Sequence, residues 1–402
     1  MENDMKIYKA DVCVIGGGSG GIGAAIGAAS NGADVILVEK NQTLGGAVTM
    51  AWVHTWEPVC GTSPLCERLW DRMCKIPMVV NKRDYSDSTR YDNPVTGKRS
   101  PSFPFEAWGY LSAVDEEIAA AGNIRIFYES GFIASEHCKD KINRVHCHNI
   151  AGDFAVESKY FIDCTADIYL AREAGCAYST GAEARSEYNE PHAPETADPA
   201  TFNGVNWVYR VRPCGHSVFV DTSPVPKARQ VNSLFKVTMP NGDILVNICG
   251  RGRLCMDSIE EYSRMLMEQK QFAWDTYRWQ VLSGTHPDWE FLGFAPQMGI
   301  RETYRLKARY VVNENDVLAG VSNQFHKDFI ATCDHSVDMH GGNSYELAKP
   351  FGIPMESLMA REYDNLLVAC RGAGFSHIAA ASCRLSRTMM TLGEAAGRFA
   401  AS

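Results

Sequence analysis

Short apolar runs without polar interruption recur along the chain, and the two nearest the N-terminus frame a glycine cluster. Val12, Cys13, Val14 and Ile15 form the first run and DVILV the second. Unbroken runs of this length are what parallel strands covered on both faces produce. Between them lies GGGSGG, followed by Ile22, Ala25, Ile26 and Ala29 at helical spacing. Ala10 to Lys40 therefore predicts strand, tight turn, helix and second strand, with Glu39 and Lys40 at the end of the unit. Gly16, Gly18 and Gly21 fill the glycine positions of GxGxxG, with Ser19 and Gly20 between the last two. The first permits a tight turn, the second lets backbone approach a pyrophosphate, and the third lets the helix lie close on the strand. A helix N-terminus there attracts phosphate, and an acidic residue closing the second strand suits ribose hydroxyls. A dinucleotide site follows; the unit alone leaves FAD and NAD both open.

Further along, NQTLGGAVTM carries Gly45 and Gly46 and is too long for a simple connection. Ser63 to Cys74 reads as a helix, and Asn81 to Pro104 as a polar excursion or lid. Phe105 to Gly122 reads as a helix with Trp108, Leu111, Val114 and Ile118 inward. Short strands are then predicted at Ile124 to Tyr128, Gly131 to Ser135, Ile142 to His148 and Phe154 to Ser158, with a hairpin turn over Asn149 to Asp153. FIDCTADIYL repeats the passage from apolar strand to helix, and its helix N-terminus is a second place for a ligand. Past an acidic, proline-rich crossing at Gly181 to Pro199 the pattern turns antiparallel, with strands at Trp207 to Val211, Ser217 to Asp221 and Ile244 to Ile248. A long helix, Ser258 to Leu282, follows, and its aromatic residues form either a domain-interface core or a substrate platform. Asn365 to Ala369 is a last buried strand. The final helix shows one face at Leu385, Met389, Leu392, Ala396 and Phe399.

Composition narrows the function. The net charge of −9 argues against nucleic acid or an anionic membrane as partner, and no stretch approaches a membrane span. The polar start, MENDMKIYKA, runs straight into the first strand, so no leader is expected and a cytoplasmic location is the default. Fourteen cysteines are scattered without a CxxC pair, which predicts buried thiols and no metal.

Four stretches together resemble the FAD-dependent oxidoreductases that share the glutathione-reductase FAD fold, and within them the fumarate-reductase-like group. They are GGGSGG with VEK; LGGAVT; FIDCTADIYLAREAG, similar to a strand–ATGD–helix segment; and NLLVACRGAGFSHIAAASCRLSRTMMTLGEAAG, similar to the closing strand, flavin turn and last helix. MGIRETYRL is similar to G-x-R-E-[ST]-x-R. One departure is Thr165-Ala166-Asp167, where the group has ATGD. The resemblance implies FAD as cofactor. Gly16, Gly18, Ser19, Gly20 and Gly21 would cradle the pyrophosphate, and Glu39 with Lys40 would lie at the ribose. Gly45, Gly46 and Thr49 would run along pyrophosphate or flavin, and Ile133 would offer backbone to adenine. Thr165, Ala166 and Asp167 would line the nucleotide half, while Arg371, Gly372 and Arg384 approach the flavin. It also implies an α/β fold: a three-layer Rossmann-like domain of parallel sheet plus small antiparallel β-meander (residues 1–184 and 346–402), with an inserted α+β substrate or cap domain (185–345).

With flavin supplying the redox step, the protein must orient substrate and manage one proton. His377, in the turn before the final helix, suits that acid/base role, and His54 is a second candidate. Arg301, beside Arg305, suits an anionic group, or else joins Glu302 in an interdomain network. Cys60 or Cys383 could attach flavin covalently. The expected activity is hydride transfer between flavin N5 and a small polar or anionic organic substrate, with an unidentified electron donor or acceptor and a homo-oligomer allowed. A flavin oxidase using dioxygen and a non-catalytic flavin-binding sensor or subunit are the alternatives.

Overall fold

The computed structural model describes residues 5–53, 55–56, 60–81, 103–232, 234–250, 256, 258–339 and 344–402. The predicted excursion, for residues 82–102, and His54 lie outside the described residues. The fold is α/β, organised by a seven-stranded sheet. Its parallel part runs Ile124–Phe127, Val35–Val38, Lys6–Ile15 and Gly152–Asp163, and Lys141–Asn149 and Gly131–Cys138 continue it antiparallel as the meander. The N-terminal βαβ unit forms as its pattern predicts, with Val12 opposite Val35 and the strand ends buried.

The strands predicted separately at Phe154 to Ser158 and from Phe161 are one strand of twelve residues, Gly152–Asp163. Its first half pairs with the meander, Arg144 opposite Glu157. Its second half takes Leu366–Val368 as a parallel partner, Leu366 opposite Phe161. The polar Ser158-Lys159 pair that broke the hydrophobic pattern marks the change of partner, not a change of element.

The closing helix Ser386–Ala400 returns to lie on the nucleotide helix Ser19–Ser30. Small residues allow the contact: a Cβ on Gly20 would strike the Ala369 carbonyl, and one on Gly393 or Gly397 would strike the backbone of Gly20 or Ala24. The closing helix is buried almost all round and Phe399 is exposed, so the single face predicted for it is wrong. Its glycines meet the other helix, and Phe399 packs edge-on against Tyr160 of the sheet. The helix Ala107–Ala121 also turns differently from its prediction: Tyr110, Ala113 and Val114 are buried and Trp108 is exposed.

A second unit is antiparallel. Phe235–Thr238, Ile244–Asn247, Tyr209–Pro213 and Trp289–Phe294 form an antiparallel sheet covered by the helix Ile259–Leu282. Trp274, Tyr277, Tyr209 and Phe291 pack ring against ring between sheet and helix, so these aromatics build that unit's own core. Ser217 to Asp221, predicted as a strand, is irregular chain. Arg210 joins the units, donating to both oxygens of Glu106 and to Asp243. Leu306, Val312 and Ala331 belong to the core of the large sheet, although the predicted division set them in the inserted domain. No helix among the described residues is long and apolar enough to cross a membrane.

Candidate active site

The glycines of the first turn differ in what demands them. Gly16 has φ +96° and a Cβ there would lie 2.5 Å from the Cys164 carbonyl; Gly17 is pressed by Leu44, also at 2.5 Å. Gly20 and Gly21 are closed off by backbone. Gly18 is different: its φ of −71° suits any residue, and a Cβ would meet nothing nearer than Gly46 Cα at 4.0 Å. Neither backbone strain nor packing requires a glycine there. A cradle kept clear of side chains at the start of a twelve-residue helix is what a pyrophosphate needs. Gly46, at φ +52°, brings the second loop against it.

Around this cradle, Glu39 is buried, accepting the Gly17 amide at 2.6 Å on Oε2 and both the backbone and side-chain N–H of Asn41 at 2.7 Å on Oε1. Oε2, with one bond, retains a lone pair for a ribose hydroxyl. Lys40 is exposed. Ser19 shares a 2.7 Å hydrogen bond with Ser386, tying together the starts of the two packed helices. Thr49 donates to the Leu44 carbonyl at 2.7 Å and so braces the glycine loop. Ile133 is half-exposed on a shallow pocket of about 330 Å³ shared with Phe132, Tyr169, Arg172 and Tyr178.

The second strand-to-helix turn is built otherwise than predicted. Asp163, fully buried, accepts the amides of Thr165 and Ala171 at 3.0 Å and the Thr165 hydroxyl at 2.7 Å. Thr165 in turn accepts the Tyr169 amide. Amides that were expected to face a ligand are held by side chains, and the helix Tyr169–Glu173 is only five residues long. Ala166 sits at φ +69°, the region a glycine would occupy without strain, so the departure from ATGD is met by a strained alanine. Asp167 accepts Arg371 at 2.6 Å and Thr303 at 2.7 Å, and Arg371 also donates to the Ile300 carbonyl. The Arg371 Nε is buried without a partner among the described residues. Gly372 has to be small: a Cβ would lie 2.5 Å from Ile168 and 2.8 Å from the Tyr304 carbonyl.

The third group of side chains surrounds His377. This residue opens the helix His377–Cys383, capped by Ser376, and is buried. Its Nδ1 lies 2.9 Å from both oxygens of Glu302, and its amide donates to Glu183. Arg305, 1% exposed, bridges Glu302 and Glu183 and donates to the Phe375 and Gly181 carbonyls. Burial by itself would raise the Glu302 carboxyl, but Arg305 and His377 outweigh it and hold the carboxyl below its ordinary range. Nδ1–H of His377 thus donates to Glu302, and Nε2 is the ring nitrogen left for a ligand.

Arg305 is therefore committed to the protein and is not the partner expected for Arg301. Arg301 donates to the Gly204 carbonyl at 2.7 Å, and the cation beside it is Arg384. Burial first and Arg301 second push Arg384 down to about 10, with Asp338 at 3.1 Å opposing them. Two neighbouring guanidiniums, one of them mostly buried, would suit an anionic group. The crossing segment that carries Arg301 also passes the cofactor loops: the Gln297 amide donates to the Met50 carbonyl at 2.7 Å and its side chain to Asn41. Cys60 and Cys383 are buried, and burial drives both thiols well above their normal values, which opposes their use as flavin attachment points.

A family model described as FAD dependent oxidoreductase matches residues 11–402. The chain belongs to this family. It is an FAD-dependent oxidoreductase with a Rossmann-type fold, and the open cradle at Gly18, the buried Glu39 and the Arg371 Nε fit that cofactor. The likeness to the glutathione-reductase branch is not itself reproduced by these matches. Carotenoid 3,4-desaturase from Haloarcula japonica is 40% identical over 87 residues, 20% of this chain and 17% of that protein. Among solved structures, CabE, an aromatic hydroxylase from angucycline biosynthesis, is similar at 14% identity and TM-score 0.43, over 75% of this chain and 54% of that one. The myxobacterial chondrochloren halogenase CndH is similar at 14% identity and TM-score 0.46, over 75% and 66%. The chain thus spans about half the length of CabE, 54%, and a small part of the desaturase.

Bound FAD supplies the redox chemistry. The chain's own residues would do the rest: the Gly18 cradle and Glu39 would hold the nucleotide, Arg371 and Gly372 would border its far end, and His377 would hold or take a proton at Nε2. Sequence reasoning missed Asp163, Glu183, Asn203 and the Arg384–Arg301 pairing. The signal for Asp163 was available, as an acid ending an apolar strand two residues before a threonine. For the others no local signal existed, because their partners lie far away in the chain.

Proposed function

We propose that this enzyme is a dehydrogenase or reductase passing hydride between flavin N5 and a small, polar, anionic organic substrate. Arg301 and Arg384 carry the reading, as two adjoining cations next to a buried histidine oriented by a carboxylate. The pair binds the substrate's anionic group. In the oxidative direction hydride leaves a substrate carbon, and the proton of the adjoining O–H or N–H passes to Nε2 of His377. A second small molecule then takes the electrons. We take the substrate-covering unit to be residues 203–300, with the chain beyond 304 returning to the FAD-binding part.

The test is anaerobic mixing of the FAD-loaded enzyme with a panel of small carboxylates and uncharged analogues, reading flavin bleaching. Carboxylates should bleach it and their uncharged analogues should not. R301A should raise the half-saturating concentration and H377A should lower the rate at saturation. Bleaching indifferent to charge, or by no member of the panel, would overturn the reading. Peroxide formed in step with turnover in air would assign dioxygen as the acceptor.

A further inference from the structure

The segment bonded to Glu302 and Arg301 carries a side chain that no described residue satisfies. Asn203 is 2% exposed, and both its Nδ2 and its Oδ1 are buried without a hydrogen-bond partner among the described residues. Burying an amide unpaired costs several hydrogen bonds' worth of hydration, so such a group in a folded core needs a reason. Neighbouring polar groups of this structure are paired: Glu302, Glu183, Arg305 and Ser376 all have partners. Asn203 is tied to the His377 group on two sides. Its own amide donates to Glu302 Oε2 at 2.8 Å, the same oxygen that faces His377 Nδ1 at 2.9 Å. The carbonyl of the next residue, Gly204, accepts Arg301 at 2.7 Å. The backbone of this short segment is thus fixed by the two residues that bracket the anion site, and only the carboxamide is left over.

We infer that Asn203 is a specificity-determining residue, reading a neutral group on the substrate, a hydroxyl or a carboxamide, next to the anionic group held by Arg301 and Arg384. The chemistry of the side chain selects that class. A carboxamide offers donors on Nδ2 and acceptors on Oδ1, and both are unmatched here. A hydroxyl or a second carboxamide both gives and receives a hydrogen bond and satisfies the two together. An ammonium only donates, a carboxylate only accepts, and a methyl does neither, so each leaves part of Asn203 buried and unpaired. The substrate class is then a 2-hydroxy acid, or a carboxylate bearing an amide beside it. A hydroxyl at that place is also the one whose proton His377 would receive. The inference rests on the proposed anion site and adds to it the neighbouring neutral group.

Calorimetric titration of the FAD-loaded enzyme with matched carboxylates tests it: propanoate against lactate, succinate against malate, and 3-phenylpropanoate against 3-phenyllactate. In at least one pair the hydroxy acid should bind about tenfold tighter or more, since an analogue lacking the hydroxyl strands the carboxamide. N203A should reduce that preference to within about twofold while the plain carboxylate keeps its affinity. N203S, which retains a small polar group and the backbone bond to Glu302, should keep an intermediate preference and serves if N203A does not fold. R301A should weaken both members of the pair alike. Equal binding of the members in the unaltered enzyme, or a preference that survives N203A, overturns the role of Asn203 and leaves the anion site standing. Binding of none of the carboxylates overturns the anion site and this inference with it.

Discussion

The packed helices Ser19–Ser30 and Ser386–Ala400 and the polar group around Arg305 both join parts of the chain that are far apart, and they do so by opposite means. In the helix pair, side chains are removed: Gly20, Gly23, Gly27, Gly393 and Gly397 each lie where a Cβ would collide with the other helix or with the sheet. In the polar group, side chains are added: Glu183, Glu302, Arg305 and His377 come from separate segments and neutralise one another out of water. The first arrangement relies on close van der Waals contact, which is insensitive to pH and short-ranged. The second relies on charges whose desolvation is large and is balanced only while every member is present. On the proposed reading the cofactor would be held mainly by backbone and the substrate by side chains, and the two ends of the site should fail in different ways.

The largest expected effect is on the charged side of that contrast. R305A leaves Glu183 and Glu302 buried without the guanidinium they share, and should lower unfolding free energy by about 3–5 kcal/mol in urea titrations. Acid should act in the same direction. Glu302 is held below its unfolded value, so its contribution is present above the ordinary carboxyl range and is lost as pH falls below about 4. The loss of stability on acidification should be shallower in R305A; an equal slope would separate Glu302 from the network.

G393A tests the other side. Elsewhere in a helix the change would stabilise by about 1 kcal/mol, whereas here the new methyl meets the Gly20 carbonyl and should cost about 3 kcal/mol. A gain in melting temperature would show that the helices do not lie in contact. H377A should slow flavin reduction by a carboxylate substrate about a hundredfold or more with FAD retained; loss of FAD instead would reassign the residue to the fold. E39A removes the acceptor for Gly17 and Asn41 and should weaken FAD retention on dialysis by about tenfold. The smallest effect belongs to an exposed pair, Arg264 and Glu268 on the cap helix: R264A should change stability by less than about 0.5 kcal/mol. A larger change there would mean that the helix rim is not simply solvated.

The same division governs what could be read from the chain. The βαβ unit, the meander and the closing strand were legible because parallel strands need unbroken apolar runs, and a dinucleotide turn needs glycines at set intervals. Errors arose where a local pattern had a distant cause. The polar break at Ser158 looked like a strand end, and only pairing with Leu366–Val368 shows why the strand continues. Trp108 looked like a core residue, but the face of Ala107–Ala121 is chosen by its neighbours. Arg305 looked available to a ligand because Glu183, 122 positions away, carries no mark of its role.

By itself, then, the order of residues determined the βαβ unit and its nucleotide turn, since these depend on interactions within some thirty neighbouring residues, while FAD followed from a resemblance spread along the whole chain. Only the tertiary structure decided which glycine is left clear for phosphate, which arginine is locked away and which faces another, and which buried amide lacks a partner. Those outcomes depend on desolvation and on Coulomb interactions between segments, and such energies exist only once the segments have met.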